Sequence, residues 1–533
     1  MIVRGFVVRS AHTPVAQDVL CFPAHKAQEP DKSGQTDLFG QPAYDVSSVG
    51  ISDSEPGLWD GVWFLPDLSG YHSCVISVFS PAGRNPMRNS VAFLISVCLF
   101  VVTLDAYGQA VPSDAALARI GLKRHWVSQG RVNPGRDRVT HISTDEMHVY
   151  VQSSNGSLTA LDSETGRRHW VVQLGAANRT SFAAVSNADT VLVVTSTNAY
   201  GVEKSSGHVL WTVKMPASAS TSAIIDDEFF YIGTGDGSMY AFSLAVVEYK
   251  NRTGRLPGTF DPSTKTITSP IGEVPALNTW LWRYRTGRSL REPPILTGGN
   301  VLLADTRGQV YGISSGTPQE LGGQLRFQFQ AGAGIAGKMI SKGDVTYVPT
   351  TDNVMTAVDS SRGQLLWRFT FGRTLVGDPL MIDGKLYLSA DYEGLVALDI
   401  SNGAQVTTAY GPWKVRGVTE MLGATKKAVY VSDRQRGLIA IDRETGRPRG
   451  KLTLYPYSIR LQNDLNDRLY LASTGGQVLC LRDPEADEPH FYRNQDRTPI
   501  LPELAGDNEE AGDNEKTGNG EPPPPTDTGD NGN

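Results

Sequence analysis

An alternating pattern of hydrophobic and polar residues recurs along most of the chain. Segments such as HVYVQS (148–153), FFYIGT (229–234), KLYLSA (385–390) and RLYLAS (468–473) place Val, Tyr, Phe or Leu at nearly every second position. This period of two predicts half-buried β-strands. Each segment is followed by a turn containing Gly or Asn and then by a second short strand, so the pattern predicts an all-β chain built from hairpins.

The second strand of each hairpin carries a small residue at a fixed place, two positions before the Asp in segments such as TALD. This residue recurs as Ala160, Gly201, Ala241, Gly312, Ala357, Ala397, Ala440 and Cys480. The intervals are 41, 40, 71, 45, 40, 43 and 40 residues, so the chain contains eight copies of one unit. A period near 40 residues is typical of propellers, solenoids and other repeat arrays.

Each copy is predicted to contain four strands with no helix between them. A turn of the form Asp-x-x-x-Gly follows the small-residue strand, and its Gly allows a left-handed backbone. The turn residues are Asp162 with Gly166, Asp359 with Gly363, Asp399 with Gly403 and Asp442 with Gly446. An outer strand with an aromatic residue comes next, at Trp170, Trp211, Trp282, Phe327 and Trp367. Four-stranded units without helices predict sheets arranged radially around an axis.

This repeat pattern resembles the repeat of quinoprotein-like β-propellers, the family of the pyrroloquinoline-quinone (PQQ) dehydrogenases. The resemblance covers roughly residues 115 to 495 and is weaker in copies four, seven and eight. It implies eight blades, with the aromatic residue of one outer strand packed on the Gly turn of the next blade. The aromatic residues named above, together with Trp126, are therefore expected to be blade-docking residues.

The two ends of the repeat region are expected to pair. Copy eight has no Trp strand of its own, whereas LKRHWVSQG carries Trp126 ahead of copy one, 34 residues before Ala160. Pairing these segments would close an eight-bladed β-propeller of four-stranded antiparallel blades and remove two exposed sheet edges.

A targeting signal is predicted at residues 87–110. Arg88 precedes an apolar run from Val91 to Leu104, and Gly108-Gln109-Ala110 forms a small-x-small cleavage site. The run is too short for a membrane span, which needs about 20 residues. Either the true start is Met87, or residues 1–86 are a cytoplasmic extension with little fixed structure ahead of a signal anchor. Cleavage would leave Cys480 as the sole cysteine, so no internal disulfide is expected.

Charge is unevenly distributed along the chain. The net charge is −7, but residues after Ile500 contribute −8 and residues 1–86 contribute −4, which leaves about +5 for the remainder. The acidic, Pro- and Gly-rich segment 498–533 has the composition of a disordered tail. The predicted organisation is therefore an extension (1–86), a signal peptide (87–110), a propeller (111–497) and this tail. A mild positive excess without a basic stripe argues against nucleic-acid binding.

The sequence contains no convincing catalytic set. It lacks the adjacent Cys-Cys pair expected of quinoprotein alcohol dehydrogenases, as well as H-E-x-x-H, C-x-x-C and kinase motifs. GISSG (312–316) lies on a repeat strand rather than at a strand-to-helix elbow. No cofactor, metal or catalytic residue is therefore expected. A PQQ-dependent oxidoreductase of unusual type remains the alternative, and a carbohydrate-binding propeller using exposed aromatics such as Tyr284 or Trp413 is a third hypothesis.

Two features are candidates for binding. An insert at about residues 246–280 follows the third copy, and long loops in regular arrays often carry function. The segment WLWRYRTGRSLR then contains Arg283, Arg285, Arg288 and Arg291, a candidate partner surface for which an ordinary solvated strand face is the alternative.

We therefore predict an exported, monomeric propeller that binds protein partners as a scaffold. Secretion, the periplasm or the cell envelope is the expected location, with a signal-anchored membrane protein as the alternative. The non-enzymatic propellers of outer-membrane protein assembly are the nearest functional relatives suggested by the resemblance.

Overall fold

The computed structural model describes residues 111–256, 279–315, 322–435 and 437–492, and the backbone of strands at 62–65, 74–77, 259–261 and 266–268. The predicted signal peptide (87–110) and the acidic segment after Tyr492 lie outside these residues, as does most of 1–86. The chain divides into two units, Met1–Gly108 and Gln109–Asn533. In the first unit Val62–Leu65 pairs antiparallel with Cys74–Ser77. No helix in the described ranges is long and apolar enough to cross a membrane.

The second unit contains eight four-stranded antiparallel sheets arranged as blades, which confirms the predicted eight-bladed β-propeller. In each blade we name the strands a to d from the centre of the ring outward. Blade 1 consists of Val139–Thr144, His148–Ser153, Ser157–Asp162 and Arg168–Gln173, and blade 2 of Val185–Ser186, Thr190–Val194, Asn198–Glu203 and Val209–Lys214. Blade 3 consists of Ile224–Ile225, Phe229–Gly233, Ser238–Ser243 and Trp282–Arg285, and blade 4 of Ile295–Thr297, Asn300–Ala304, Gln309–Ser314 and Leu325–Gln330.

Blades 5 to 8 follow the same order. Blade 5 consists of Ile340–Lys342, Val345–Thr350, Val354–Asp359 and Leu365–Thr370, and blade 6 of Leu375–Ile382, Lys385–Ala390, Gly394–Asp399 and Lys414–Val415. Blade 7 consists of Val418–Ala424, Ala428–Asp433, Gly437–Asp442 and Pro448–Thr453. Blade 8 consists of Ile459–Arg460, Leu469–Ala472 and Gln477–Arg482, with Lys123–Gln129 as strand d. Strand d of blade 8 thus comes from the N-terminal side, as predicted, with Trp126 opposite Cys480. The ring is closed by hydrogen bonds between the two ends of the repeat region.

The hydrophobic core lies between neighbouring blades. Strands b and c are buried along nearly their whole length, whereas strands d alternate between exposed and partly buried residues. Between blades 1 and 2, for example, Tyr150, Ala160 and Trp170 pack against Val191 and Val202. Each blade therefore buries both of its faces against neighbours, which explains why a single copy of the repeat could not form a stable core by itself.

The prediction that no helix lies between the strands of a copy is wrong in blade 3, where helix α2 (Leu244–Thr253) follows strand c. Helix α1 (Asp114–Ala118) precedes the closing strand and lies outside the repeated strands. Ser243 caps the start of α2 by accepting the Val246 N–H at 3.4 Å, and Gly254 ends it with φ +71°. The Asn251 amide donates to the Leu210 carbonyl at 2.7 Å, so α2 packs on the outer strand of blade 2.

The rest of the blade 3 insert includes a hairpin of Thr259–Asp261 and Thr266–Thr268. A second additional hairpin, Thr407–Thr408 with Gly411–Pro412, lies between strands c and d of blade 6. Both additions follow strand c of their blade. The alternating strands that form the ring therefore keep their register.

Antiparallel strand order gives the ring two distinct faces. Turns between strands b and c, and the links from strand d to the next blade, lie on one face, which we name the bc face. Turns between strands a and b and between strands c and d lie on the other face, which we name the cd face. The Asp-x-x-x-Gly turns belong to the cd face.

Candidate protein-interaction surface

Aromatic residues of the outer strands occupy one register position, directly opposite the small residue of strand c. The pairs are Ala160 with Trp170, Gly201 with Trp211, Ala241 with Trp282, Gly312 with Phe327, Ala357 with Trp367 and Cys480 with Trp126. At Gly201 an added Cβ atom would lie 2.1 Å from the Trp211 ring. A small residue is therefore needed at this position because the indole lies across it.

Five of these aromatic rings contact the cd face turn of the following blade, whereas Trp211 stacks on Phe230 of blade 3, with ring centroids 5.3 Å apart. The Trp126 ring lies over Gly166, which has φ +70°, and its Nε1–H donates to the Ser163 carbonyl at 2.9 Å. Equivalent indole bonds run from Trp170 to Lys204, from Trp367 to Ile400 and from Trp413 to Arg443, at 2.8 to 3.0 Å. Phe327 lies over Gly363 and has no indole donor.

Carboxylates inside these turns accept backbone N–H groups. Asp162 Oδ1 accepts from Thr165 at 2.7 Å, Asp359 Oδ1 from Arg362 at 2.9 Å, Asp399 Oδ1 from Ser401 at 2.8 Å and Asp442 Oδ1 from Thr445 at 2.9 Å. The glycines Gly363, Gly403 and Gly446 have φ values of 70–71°. Burial alone would raise the pKa of Asp442, but hydrogen bonds from Thr445 and Arg449 lower it to about 2.

Trp413 belongs to this set of docking residues, although the sequence hypothesis treated it as an exposed sugar-binding aromatic. That hypothesis is wrong for Trp413, whose exposed fraction is only 1%. Strand pairs Leu395 with Val415 and Val396 with Lys414 place it opposite Ala397. The hairpin at 407–412 lengthens the spacing from the small residue, which hid the match. Tyr284, the other named aromatic, is half-buried beside Tyr311.

Blade 7 has Gly450 where the other blades have an aromatic residue, opposite Ala440. The N-terminal segment fills this position: a Cβ on Gly450 would lie 3.1 Å from the Arg119 carbonyl oxygen and from Ile120. Ile120 and its neighbours Leu117 and Leu122 are buried in the core between blades 7 and 8. The Tyr430 hydroxyl donates to the Ile120 carbonyl at 3.3 Å. The N-terminus therefore supports two adjacent blades.

The four predicted surface arginines lie together at the outer edge of blade 3. Arg283 and Arg285 alternate with Trp282 and Tyr284 on strand d, and Arg288 and Arg291 follow in the link to blade 4. All four side chains are exposed, whereas Trp282 points into the core. The arrangement is a band of positive charge that runs from the rim onto the bc face.

A set of charged residues whose position could not be predicted lies on the innermost strands and links around the centre. Lys338 pairs with Asp378 at 3.5 Å, and Arg460 lies 4.0 Å from Glu420. Burial, reinforced by Asp378, raises the pKa values of Glu292 and Glu420. Irregular pairing at Val376–Leu380 and Val418–Glu420 redirects these side chains, as β-bulges do. The described residues include no group of three or more His, Cys, Asp or Glu placed to hold a metal ion.

A cavity of about 240 Å³ opens between blades 6 and 7 on the bc face. Tyr392 borders it with 74% of its surface exposed and a left-handed φ of 59°. Arg434 covers one side of the Tyr392 ring at 5.0 Å and forms an ion pair with Asp391. Tyr and Arg are enriched at the energetically dominant positions of protein interfaces, so this cavity is a second candidate contact region.

These observations define a closed eight-bladed propeller whose described surface includes exposed arginines, tyrosines and turns. The sequence model of the PQQ_2 family, described as "Outer membrane protein assembly factor BamB", matches residues 99–321 and 281–485. The chain therefore belongs to this family, and the predicted relationship to the PQQ-repeat propellers is confirmed. No curated protein matches the chain in sequence.

Solved structures with a similar fold include BamB from Moraxella catarrhalis and a computationally designed protein, Ika8. The BamB structure is 15% identical, covers 68% of this chain and 98% of its own, and has a TM-score of 0.49. The Ika8 structure is 13% identical, covers 66% of this chain and 98% of its own, and has a TM-score of 0.47.

Proposed function

We propose that the chain is an exported, non-catalytic propeller that binds protein partners as a scaffold in cell-envelope or outer-membrane protein assembly. The observation that carries the proposal is the family match over residues 99–321 and 281–485, because the family is described by an assembly factor. A rigid closed ring with many exposed loops suits such a role, since it offers several binding surfaces at fixed relative positions.

The arginine band of blade 3 is the first partner surface we propose. Arg283, Arg285, Arg288 and Arg291 project from a strand and link whose backbones are fixed by pairing with strand c and by the Thr286–Gly237 hydrogen bond at 2.8 Å. Arginine loses little conformational freedom when it binds a carboxylate through two N–H groups, so exposed arginines on a fixed backbone suit protein recognition.

Photo-crosslinking in the native compartment tests this surface. A photoreactive residue at position 283 or 285 should give discrete crosslinked partners, and charge reversal of Arg288 and Arg291 to Glu should abolish them. Arg168 provides the matched control, because it lies on strand d of blade 1, is exposed and is also an arginine. Identical partners from positions 168 and 283 would contradict a dedicated surface on blade 3.

Export is tested separately by N-terminal sequencing of the protein from its native compartment. We expect the mature chain to begin at or near Val111, after the Gly-Gln-Ala site. A mature chain that still begins before Met87 would contradict both cleavage at this site and a start at Met87.

A further inference from the structure

The bc face carries a second cluster of arginines at the junction of blades 8, 1 and 2. Arg131, Arg136 and Arg138 lie in the link from blade 8 to blade 1, and Arg179 lies in the link from blade 1 to blade 2. All four side chains are exposed. We name these four residues the junction patch. Asp137, in the same link as three of them, accepts a hydrogen bond from the Asn155 amide at 2.9 Å.

Hydrogen bonds hold the two links on either side of one turn. The Ser154 N–H donates to the Arg138 carbonyl at 2.8 Å, and the Asn178 N–H donates to the Ser154 carbonyl at 2.7 Å. The Arg131 carbonyl accepts from the Ser157 hydroxyl at 2.9 Å. The backbones that carry the arginines are therefore fixed to blade 1, and the four positive charges are brought together from two separate segments.

The junction patch is also electrostatically unsatisfied. Some exposed arginines form ion pairs, such as Arg434 with Asp391 and Arg449 with Asp442. Within the described part of the chain, none of the four guanidinium groups of the junction patch forms such a pair. Like charges held close together repel each other, so an anionic ligand would remove an unfavourable interaction as well as add a favourable one.

The cd face of the same blades carries charges of both signs, with Glu485 paired to Lys427, Asp487 to Arg482 and Glu164 to Arg468. The segment after strand c of blade 8 contains Asp483, Glu485, Asp487 and Glu488. Blade 1 adds Glu146 and Glu164. The chain leaves the described structure on this face, where the Tyr492 N–H donates to the Leu465 carbonyl at 2.9 Å and its hydroxyl donates to the Ala424 carbonyl at 2.7 Å.

We propose that the junction patch binds the chain's own acidic C-terminal segment, residues 503–515. This segment contains six carboxylates, Glu503, Asp507, Glu509, Glu510, Asp513 and Glu515, and no basic residue. Glu503 is 11 residues beyond Tyr492, a reach of up to about 36 Å. Tyr492 contacts blades 7 and 8 through Ala424 and Leu465, whereas the patch lies on the opposite face, in the links on either side of blade 1. The 12 residues from Glu503 to Glu515 add a further reach of up to about 40 Å.

While the segment occupies the patch, no other acidic partner can bind there. Such a partner binds only after the segment has been released. The proposal does not depend on the arginine band of blade 3 or on the assembly role. Either idea can therefore fail while the other stands.

Binding in trans provides the first test. A fluorescein-labelled peptide of residues 501–533 should bind a chain that ends at Ile500, with at least tenfold weaker binding to the full chain, whose own segment competes. Charge reversal of Arg136 and Arg138 to Glu should weaken binding at least tenfold, whereas reversal of Arg167 and Arg168 on the cd face should change it less than twofold. A peptide with every Glu and Asp replaced by Gln and Asn should not bind.

A second measurement uses the full chain and does not require the shortened one to fold. A Glu-specific protease should cut within residues 503–515 several-fold faster in the Arg136→Glu, Arg138→Glu variant than in the parent, and the Arg167→Glu, Arg168→Glu control should match the parent. Equal cleavage in all three proteins would overturn the proposal. Equal peptide binding to the full and shortened chains would also overturn it. The proposal would also be overturned if anionic lipid vesicles or duplex DNA bound the patch of the full chain as strongly as they bound the patch of the shortened chain.

Discussion

We propose that Trp126 stabilises the ring more than any local contact would suggest, and Trp126→Ala tests this. Trp126 is 7% exposed, and replacing a buried Trp with Ala costs about 3–5 kcal/mol. The variant also removes the indole N–H that donates to the Ser163 carbonyl at 2.9 Å, and losing this hydrogen bond adds about 1 kcal/mol to the destabilisation. The total of about 4–6 kcal/mol is a large part of the 5–15 kcal/mol typical of a folded domain.

Trp170 is the matched control for this experiment. It is 8% exposed and its indole donates to Lys204 at 2.8 Å, so its local contacts are nearly the same. Blades 1 and 2, however, are joined through the chain, whereas strand d of blade 8 is held to its blade only by non-covalent contacts. Trp126→Ala should therefore lower the free energy of unfolding more than Trp170→Ala, and Trp126→Phe should cost only about 1 kcal/mol, the loss of one hydrogen bond.

Denaturant unfolding followed by fluorescence, with hydrogen exchange read residue by residue, provides the assay. We expect amides of Lys123–Gln129 and Gln477–Arg482 to exchange faster in Trp126→Ala than in Trp170→Ala. An unchanged unfolding midpoint for Trp126→Ala would refute the closure argument. So would equal losses in the two Ala variants without faster exchange in the closing strands.

Further expectations follow from the same structure. Trp413→Ala should destabilise the protein by about 3–5 kcal/mol, as Trp367→Ala should, because both indoles lie on the next blade's turn; a neutral Trp413→Ala in denaturant unfolding would show that its ring is dispensable. Burial raises the pKa of Asp226 to about 6, above the value near 3.9 of an unfolded chain, so its contribution to stability is present below about pH 4 and is lost as the pH rises through 6. Asp226→Asn should therefore be more favourable at pH 7 than at pH 4 by up to about 3 kcal/mol, and equal effects at both pH values in urea titrations would contradict this. Removing residues 501–533 should leave the thermal midpoint nearly unchanged, because the segment has few apolar side chains to bury, and a drop of several degrees would show otherwise. The protein should not take up PQQ in the presence of Ca²⁺, since it has no adjacent Cys pair; stoichiometric uptake with alcohol oxidation would favour the oxidoreductase hypothesis.

The repeat and its closure could be predicted from sequence because their signals are local. Alternation such as HVYVQS and the recurring small residue depend only on neighbours in the chain. Eight copies, spaced 40 to 45 residues apart except for one interval of 71, limit the arrangement to a ring or a solenoid. Trp126 ahead of the first copy and the missing Trp strand after the eighth then indicated closure. The structure agrees with each of these steps.

Features that depend on insertions or on distant segments could not be predicted in the same way. Trp413 was missed because a six-residue hairpin changes its spacing, and the filling of the Gly450 position depends on a segment more than 300 residues away. Helix α2 did have a recognisable signal, with Ser243 before it, Lys250 and Arg252 in its last turn and Gly254 after it. The charged groups around the centre depend on strand irregularities that have no sequence signature.

The pairing of Lys123–Gln129 with Gln477–Arg482 has a consequence for how the protein folds. These strands are about 350 residues apart in the chain, so the sheet they share can form only after almost the whole propeller has been synthesised. Contacts between such distant segments slow folding. Until then Lys123–Gln129 remains an unpaired strand, the kind of edge that recruits other chains into aggregates. The nascent protein should therefore depend on chaperones for longer than a chain of the same length whose strands pair only with their neighbours.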